Sequence, residues 1–320
     1  MQGSTFPVTD NLYSALQALR QVEGSRTLWV DAICVNLADI EEKNDQVLRM
    51  PQIFFRADGG VVYLGIATAA TDQSMDYLIQ FEKQEGKTGI VPKIEFSDLS
   101  DRDGDARLEG LRDMLSRPWF RKVWVAQEIG NARSAVVYCG SKAVSGDTIA
   151  RVVEILRIKI NPMGQGFLDL MPGPRRDLRA DSKLQLYDLL QMLRYGEATD
   201  PRDKVFAALN LAADNSKRTI VPDYSMSQTA LIKKVLASLY FCELACVPIS
   251  PYHTIDEFLA NLDQIDNHVV EKILESFKEI DLESLLRYGS HYIDIDHNLI
   301  EAAGRNETRG EEMVTSCCEN

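Results

Sequence analysis

The sequence predicts an α/β layer fold in which a mostly parallel sheet is flanked by helices, and three observations carry that prediction. The stretch TLWVDAICV (27–35) is rich in β-formers and apolar on both faces, as a strand covered by helices above and below should be; Asp31 is its one charge. DIEEKNDQVLRMPQIFFRA (39–57) then sets Val47, Met50, Ile53 and Phe54 on one helical face, and GVVYLG (60–65) is a second apolar run. Strand, helix and strand at these distances make a right-handed crossover unit.

The remaining elements follow in order. In VTDNLYSALQALRQVEGS (8–25), Leu12, Leu16, Leu19 and Val22 recur at helical spacing after a Thr9/Asp10 cap and before Gly24, a helix of about four turns. Pro51 should kink the helix that follows Asp31. Residues 66–116 read as an insertion: a polar helix near Asp72 to Glu82, a loop, and a second helix leading into Ser116. Its acidic run DLSDRDGDARLE has Ala106 where a calcium loop needs Gly and Arg112 where it needs Glu, so a solvated loop accounts for it better. RPWFRKVWVAQEIG (117–130) has helical spacing, Gly130 and Asn131 stop it, and SAVVYCG is a third strand.

NPMGQGFLDLMPGPRRDLRADS (161–182) is rich in Pro and Gly and reads as a long loop or linker. TDPRDKVFAALNLA starts a helix with Thr199 or Asp200 as cap, Pro201 in the first turn and Asp203 near the positive end of the dipole. From residue 226 the pattern is helical, with Phe258, Leu262, Ile265, Val270, Ile273, Leu274 and Phe277 marking apolar faces. The expected organisation is an α/β domain over 1–225, a helical region over 226–300 and a flexible tail over 301–320.

Composition excludes several classes of function. A net charge of −13, from 48 acidic and 35 basic residues, opposes phosphate backbones and anionic bilayers, so neither nucleic acid nor membrane is an expected partner. MQGSTFPVTD has no basic or apolar leader, and VLASLYFCELACVPI is too short to span a bilayer and carries Glu243. Six cysteines without regular spacing fit reduced thiols and a cytoplasmic location. Cys242 and Cys246 lie one helical turn apart with no matching second pair, so they read as core thiols and no metal site is expected; the final CCEN reads as a frayed tail.

The chemistry available is sparse. There is no Gly-rich phosphate loop, no G-x-S-x-G elbow and no H-E-x-x-H, and all four histidines (253, 268, 291, 297) fall in the C-terminal part, away from the α/β units. Carboxylates remain. Asp31 within a buried strand needs a partner, either loop amides or a ligand, and Asp31, Cys34 and Asn36 approach the carboxyl edge where open α/β sheets bind ligands. Glu128 shares a helical stripe with Phe120 and Trp124, with Arg121 beside it, and faces the negative end of the helix dipole. Either it belongs to a site, or the aromatics are core and the acid pairs with an arginine.

Six blocks in order, LWVDAICVN, EKNDQV with Met50, Ile53 and Ala57, VVYLG, RPWFRKVWVAQE, DPRDKVFAALNLA and VPDYS, resemble the fungal heterokaryon incompatibility (HET) domain over roughly residues 8–226. That resemblance implies a flavodoxin/TIR-like sheet, and this chain begins after the strand with which such domains open, so the usual first strand is expected to be lacking. WVAQEI (124–129) is similar to the helix that carries the catalytic Glu of NAD-cleaving TIR domains, so the resemblance places Glu128 in the catalytic position with Asp31, Asn36, Arg121 and Trp124 lining the pocket. Leu37 departs from the Gln that the family usually has after Cys-Ile-Asn.

The activity implied is cleavage of the nicotinamide–ribose bond of NAD, as substrate rather than cofactor, in non-self recognition that ends in death of fused cells. The alternative is a non-enzymatic module of the same pathway that self-associates or binds a protein partner.

Overall fold

The computed structural model describes residues 6–265, apart from 22, 90, 93–101, 175–183, 214–219, 241–246 and 248, together with 272 and 273. Cys242, Cys246, three of the four histidines, nearly all of the region from 266 to 300 and the tail from 301 lie outside the described residues. The chain divides into two compact units, Met1–Ser182 and Lys183–Asn320, so the division falls at the end of the Pro/Gly-rich stretch. No helix among the described residues is long and apolar enough to cross a membrane.

The first unit is a mixed α/β body, rich in helix, around a three-stranded sheet. Its elements are α1 (Asp10–Leu19), α2 (Asp31–Cys34), α3 (Ile40–Arg56), β1 (Gly60–Tyr63), α4 (Ala69–Thr88), α5 (Arg102–Ser116), a 3-10 turn (Pro118–Arg121), α6 (Trp124–Asn131), β2 (Ala135–Cys139), β3 (Lys142–Ser145), α7 (Gly146–Ile155) and α8 (Pro162–Leu170). The Thr9 hydroxyl caps α1 by accepting from Leu12 N, as expected, but the helix ends at Leu19 and is shorter than four turns. Asp39 caps α3 by accepting from Glu41 N and Glu42 N, and Pro51 is held within that helix.

Two sequence expectations are corrected. Residues 27–35 do not form a strand: the chain runs to Val30 without a ladder, and Asp31–Cys34 makes a single helical turn. Asp31 decides this locally, since its Oδ1 accepts from Ala32 N at 2.7 Å and its carbonyl accepts from Val35 N. The apolar run spends its aromatic on α3, with the Trp29 ring edge-on to Phe54 at 5.7 Å. Asp31 is therefore exposed rather than sealed in a sheet. The start of the Pro/Gly-rich stretch is also not loop, because Asn161 caps α8 by accepting from Gly164 N at 2.7 Å and Pro162 occupies the first turn, where its missing N–H costs nothing.

The sheet order is β1-β2-β3, with β1 and β2 parallel and β2 and β3 antiparallel. Val62, Val137 and Val144 point to its buried face, while Val61 and Val136, opposite each other in register, remain 42% and 37% exposed. The parallel pair sets the topology, because its strands cannot be joined by a hairpin. The connection runs through α4, α5, the 3-10 turn and α6, so the segment that reads as an insertion supplies the crossover. α4 packs on α5 and on β3, and Met75, Leu78 and Leu111 are fully buried. The acidic run is helical from Arg102 onward.

α4 and α5 approach closely where α5 carries Gly110. The Ser74 hydroxyl donates to Arg107 O at 2.7 Å across the contact, and a Cβ on Gly110 would lie 2.2 Å from both Ala70 O and Ser74 Oγ.

The second unit is helical among its described residues: α9 (Leu186–Leu193), α10 (Asp203–Leu209), α11 (Gln228–Tyr240) and α12 (Ile255–Ala260). Arg202 ties it together. Its guanidinium bonds Asp200 through Nε (2.9 Å) and Nη2 (2.7 Å), and Nη1 donates to the carbonyls of Tyr224 (2.8 Å) and Met226 (2.6 Å). The Tyr224 hydroxyl donates to buried Asp203, and burial together with that carboxylate pushes the phenol pKa up.

Gly110→Ala should force α4 and α5 apart and cost about 1–3 kcal/mol, which chemical denaturation measures as a lowered midpoint with an unchanged slope.

Candidate functional site

The stretch that carries Glu128 is not one helix. Pro118 starts the 3-10 turn, which ends at Arg121, and α6 begins only at Trp124. Phe120 is 2% exposed on that turn and belongs to the core, and half-buried Trp119 stands edge-on to Phe120 (4.9 Å) and Phe167 of α8 (6.0 Å). The expected stripe of Phe120, Trp124 and Glu128 is thereby broken. Trp124 and Glu128 alone share a helix face, one turn apart and both half-buried.

α6 packs on α3 and α8, with Val125, Ala126, Gln127 and Ile129 buried. Glu128 stands in its last turn, at the negative end of the dipole, as the sequence requires. Residues 132–134 lead from α6 into β2, and Gly60 lies against Ala132, so Glu128 sits toward the amino ends of the parallel strands. This corrects the expectation of a site at the carboxyl edge. That edge is braced instead: Arg117 bonds Asp113 through Nε (3.0 Å) and Nη2 (2.9 Å), and its Nη1 donates to Ile66 O at 3.0 Å.

The Glu128 carboxyl is pushed up from 4.5 to about 7, first by burial and then by the negative charge of Asp31, with Lys122 opposing the shift. The charge of the acid on α2 thus acts on the acid of α6. Asn36 lies just beyond α2, exposed; its Oδ1 accepts from Ala38 N at 3.2 Å and its N–H donates to Glu42 at 2.9 Å, so it shapes the turn into α3. Arg121 is exposed at the end of the 3-10 turn.

The cation acting on Glu128 is Lys122, which sequence reasoning missed. The signal was present in Pro118: a proline at that point favours a separate turn, and the break it causes shifts the register of the following residues. Among the described residues no group of three His, Cys, Asp or Glu side chains is arranged to hold a metal ion. A concavity of about 520 Å³, lined by Val153, Arg157, Ile158, Lys159 and Pro162 at the junction of α7 and α8, contains none of the five candidate residues.

These features define a helix-rich α/β domain whose distinctive chemical group is a half-buried carboxyl within electrostatic reach of a second carboxylate. Residues 1–128 match the family described as heterokaryon incompatibility protein (HET), a span that ends on Glu128 and contains all five candidates. It is 27% identical to "Heterokaryon incompatibility protein 6, OR allele" of Neurospora crassa over an alignment of 274 residues, covering 69% of this chain and 40% of that protein. The chain thus corresponds to less than half the length of that relative. No solved structure matches it.

A raised pKa in the folded state means that the native chain holds the Glu128 proton more tightly than the unfolded chain. The resulting stabilisation is complete below about pH 4.5, declines as pH rises to about 7, and is absent above that. Glu128→Gln should therefore flatten stability across this window and exceed the native chain above pH 7 by on the order of 1 kcal/mol, a value discounted for partial contact with water; urea midpoints at both ends of the window test this. Asp31→Asn should lower the Glu128 titration midpoint and Lys122→Gln should raise it, as read from the carboxyl carbon by NMR.

Proposed function

We propose that this chain acts in fungal non-self recognition leading to cell death, and that its HET domain does so by cleaving the nicotinamide–ribose bond of NAD with Glu128 as the essential carboxylate. The observation that carries this reading is the half-buried Glu128 beside Asp31, within the segment that matches the HET family. The similarity to a Neurospora incompatibility protein supports the biological role. The TIR-like character of WVAQEI supports the chemistry.

The reaction suits a site with few catalytic groups. In NAD the nicotinamide is a cationic pyridinium; when the bond to ribose C1′ breaks, the electron pair goes to the ring nitrogen and nicotinamide leaves neutral. No general acid is needed, unlike ordinary glycoside cleavage, which protonates a leaving oxygen. Water then adds to C1′ and releases a proton, giving ADP-ribose. An ionised Glu128 facing the ribose orients its hydroxyls and stabilises the oxocarbenium as it develops, and Asp31 adds negative potential. Trp124, one turn earlier and half-exposed, offers a ring face to the pyridinium. Arg121 and Asn36 are the polar groups assigned to the rest of the nucleotide.

Incubating the full chain with NAD should release nicotinamide at a rate that climbs as pH rises through about 7, because the ionised carboxylate is the active form. Glu128→Gln should lower that rate by about 100-fold or more. Equal rates for the two chains would remove Glu128 from the mechanism, and absence of release by the native chain would remove the reaction.

A further inference from the structure

Beside its core face, α3 carries a row in which Ile40, Leu48 and Phe55 are exposed and Asn44 and Pro51 half-buried. Val47, Met50 and Phe54 turn inward, and Val47 and Met50 are 5% and 7% exposed. A quarter-turn around the helix, Ile40, Asn44, Leu48, Pro51 and Phe55 recur at spacings of four, four, three and four, the pattern of a seam between two helices. Ile40, Leu48 and Phe55 are 51%, 45% and 57% exposed. The Arg133 guanidinium lies over the Phe55 ring at 4.9 Å and supports it without covering it. Scattered exposed apolar residues need no explanation, but a row of them at seam spacing along one helix does.

The flank beside this row has the same spacing: Glu41, Asp45, Arg49, Gln52 and Arg56, all exposed, with acids in the first half and bases in the second. Within one chain only the middle pair can meet, and Arg49 Nε does lie 2.9 Å from Asp45. In two helices packed antiparallel, equivalent flanks face each other. A two-fold axis at Leu48 therefore brings Glu41 against the partner's Arg56 and Asp45 against the partner's Arg49. The same axis seats Leu48 on the partner's Leu48 and Ile40 on the partner's Phe55. A parallel pairing would not bring these equivalent flanks together.

We propose that α3 is a homodimer interface in which two copies of this chain pair antiparallel about a two-fold axis at Leu48. The contact is isologous, so it closes at two copies and does not propagate. A seam from one helix of about 25 Å buries less surface than a permanent dimer needs, so association is reversible, with a dissociation constant on the order of 10 µM or weaker. Its flanking pairs are solvent-exposed, so it weakens with added salt. The interface lies a quarter-turn around α3 from its buried core residues and requires no reaction at Glu128.

Sedimentation velocity of the full chain from about 1 to 500 µM tests the proposal. The native chain should pass from monomer to dimer, and Leu48→Glu, which sets two carboxylates across the axis, should stay monomeric with an unchanged melting profile. Glu41→Arg and Arg56→Glu should each raise the dissociation constant about 3- to 10-fold, and the double variant E41R/R56E, which exchanges the charges of both pairs, should restore it to within about twofold of native. A native chain that remains monomeric throughout, a Leu48→Glu chain that dimerises normally, or a double variant weaker than either single one would overturn the proposal.

Discussion

The parallel pairing of β1 with β2 is the constraint on which the first unit depends. Two adjacent parallel strands cannot be joined by a turn, so the chain must leave the end of β1, cross the sheet and return to the start of β2. α4 packs on β2 and β3 during that journey, α5 packs on α4, and α6 is its last leg. Because α6 has to deliver the chain to the start of β2, its final turn ends beside the amino ends of the strands. Glu128 is placed there by topology rather than by any choice of ligand geometry, and α3, which packs against α6, leads from the Asp31 turn.

The elements that could be read from sequence are those whose signal is local. The cap at Thr9, the apolar face of α3, the GVVYLG and AVVYC strands and the two helices within 66–116 each follow from residues adjacent in the chain. The failures share a physical origin in competition between local chemistry and pattern. TLWVDAICV has β composition, but a strand needs a partner edge, and Asp31 offers its own backbone a helical turn instead. NPMGQGF has loop composition, but an Asn cap followed by Pro is also how a helix begins. β3 went unread although Gly140 and Ser141 form a two-residue turn between paired segments, a hairpin signal in its own right; Gly140 has φ of 59° and its Cα hydrogen faces Ala67, where a Cβ would come within 2.8 Å.

The candidate site was legible in part for the same reason. That Glu128 would be awkwardly placed follows from its position at a helix end, which any reader of the spacing can deduce. That Asp31 would act on it does not follow from sequence, because residues 31 and 128 meet only through the packing of α3 against α6. The two blocks DPRDK and VPDYS carry a different lesson. Their resemblance is as specific as that of the α6 segment, yet they form a structural clamp in the second unit, where Arg202 and Tyr224 close the chain between residues 200 and 226. With a bidentate carboxylate and two backbone carbonyls, Arg202 commits four of its five N–H donors within the fold.

The electrostatic balance at Glu128 argues that its setting is not simply structural. A buried acid kept for stability is normally given hydrogen bonds or a full ion pair that hold its charge and pull its pKa down. Here burial and a neighbouring acid act in the opposite direction, and the single opposing cation, Lys122, is exposed on a break between two helical segments. The arrangement costs stability near neutral pH, which a neutral amide of the same shape would avoid. A fold built from capped helices and a packed sheet has no need of that cost, and the proposed role of Glu128 is one that would use a carboxylate there.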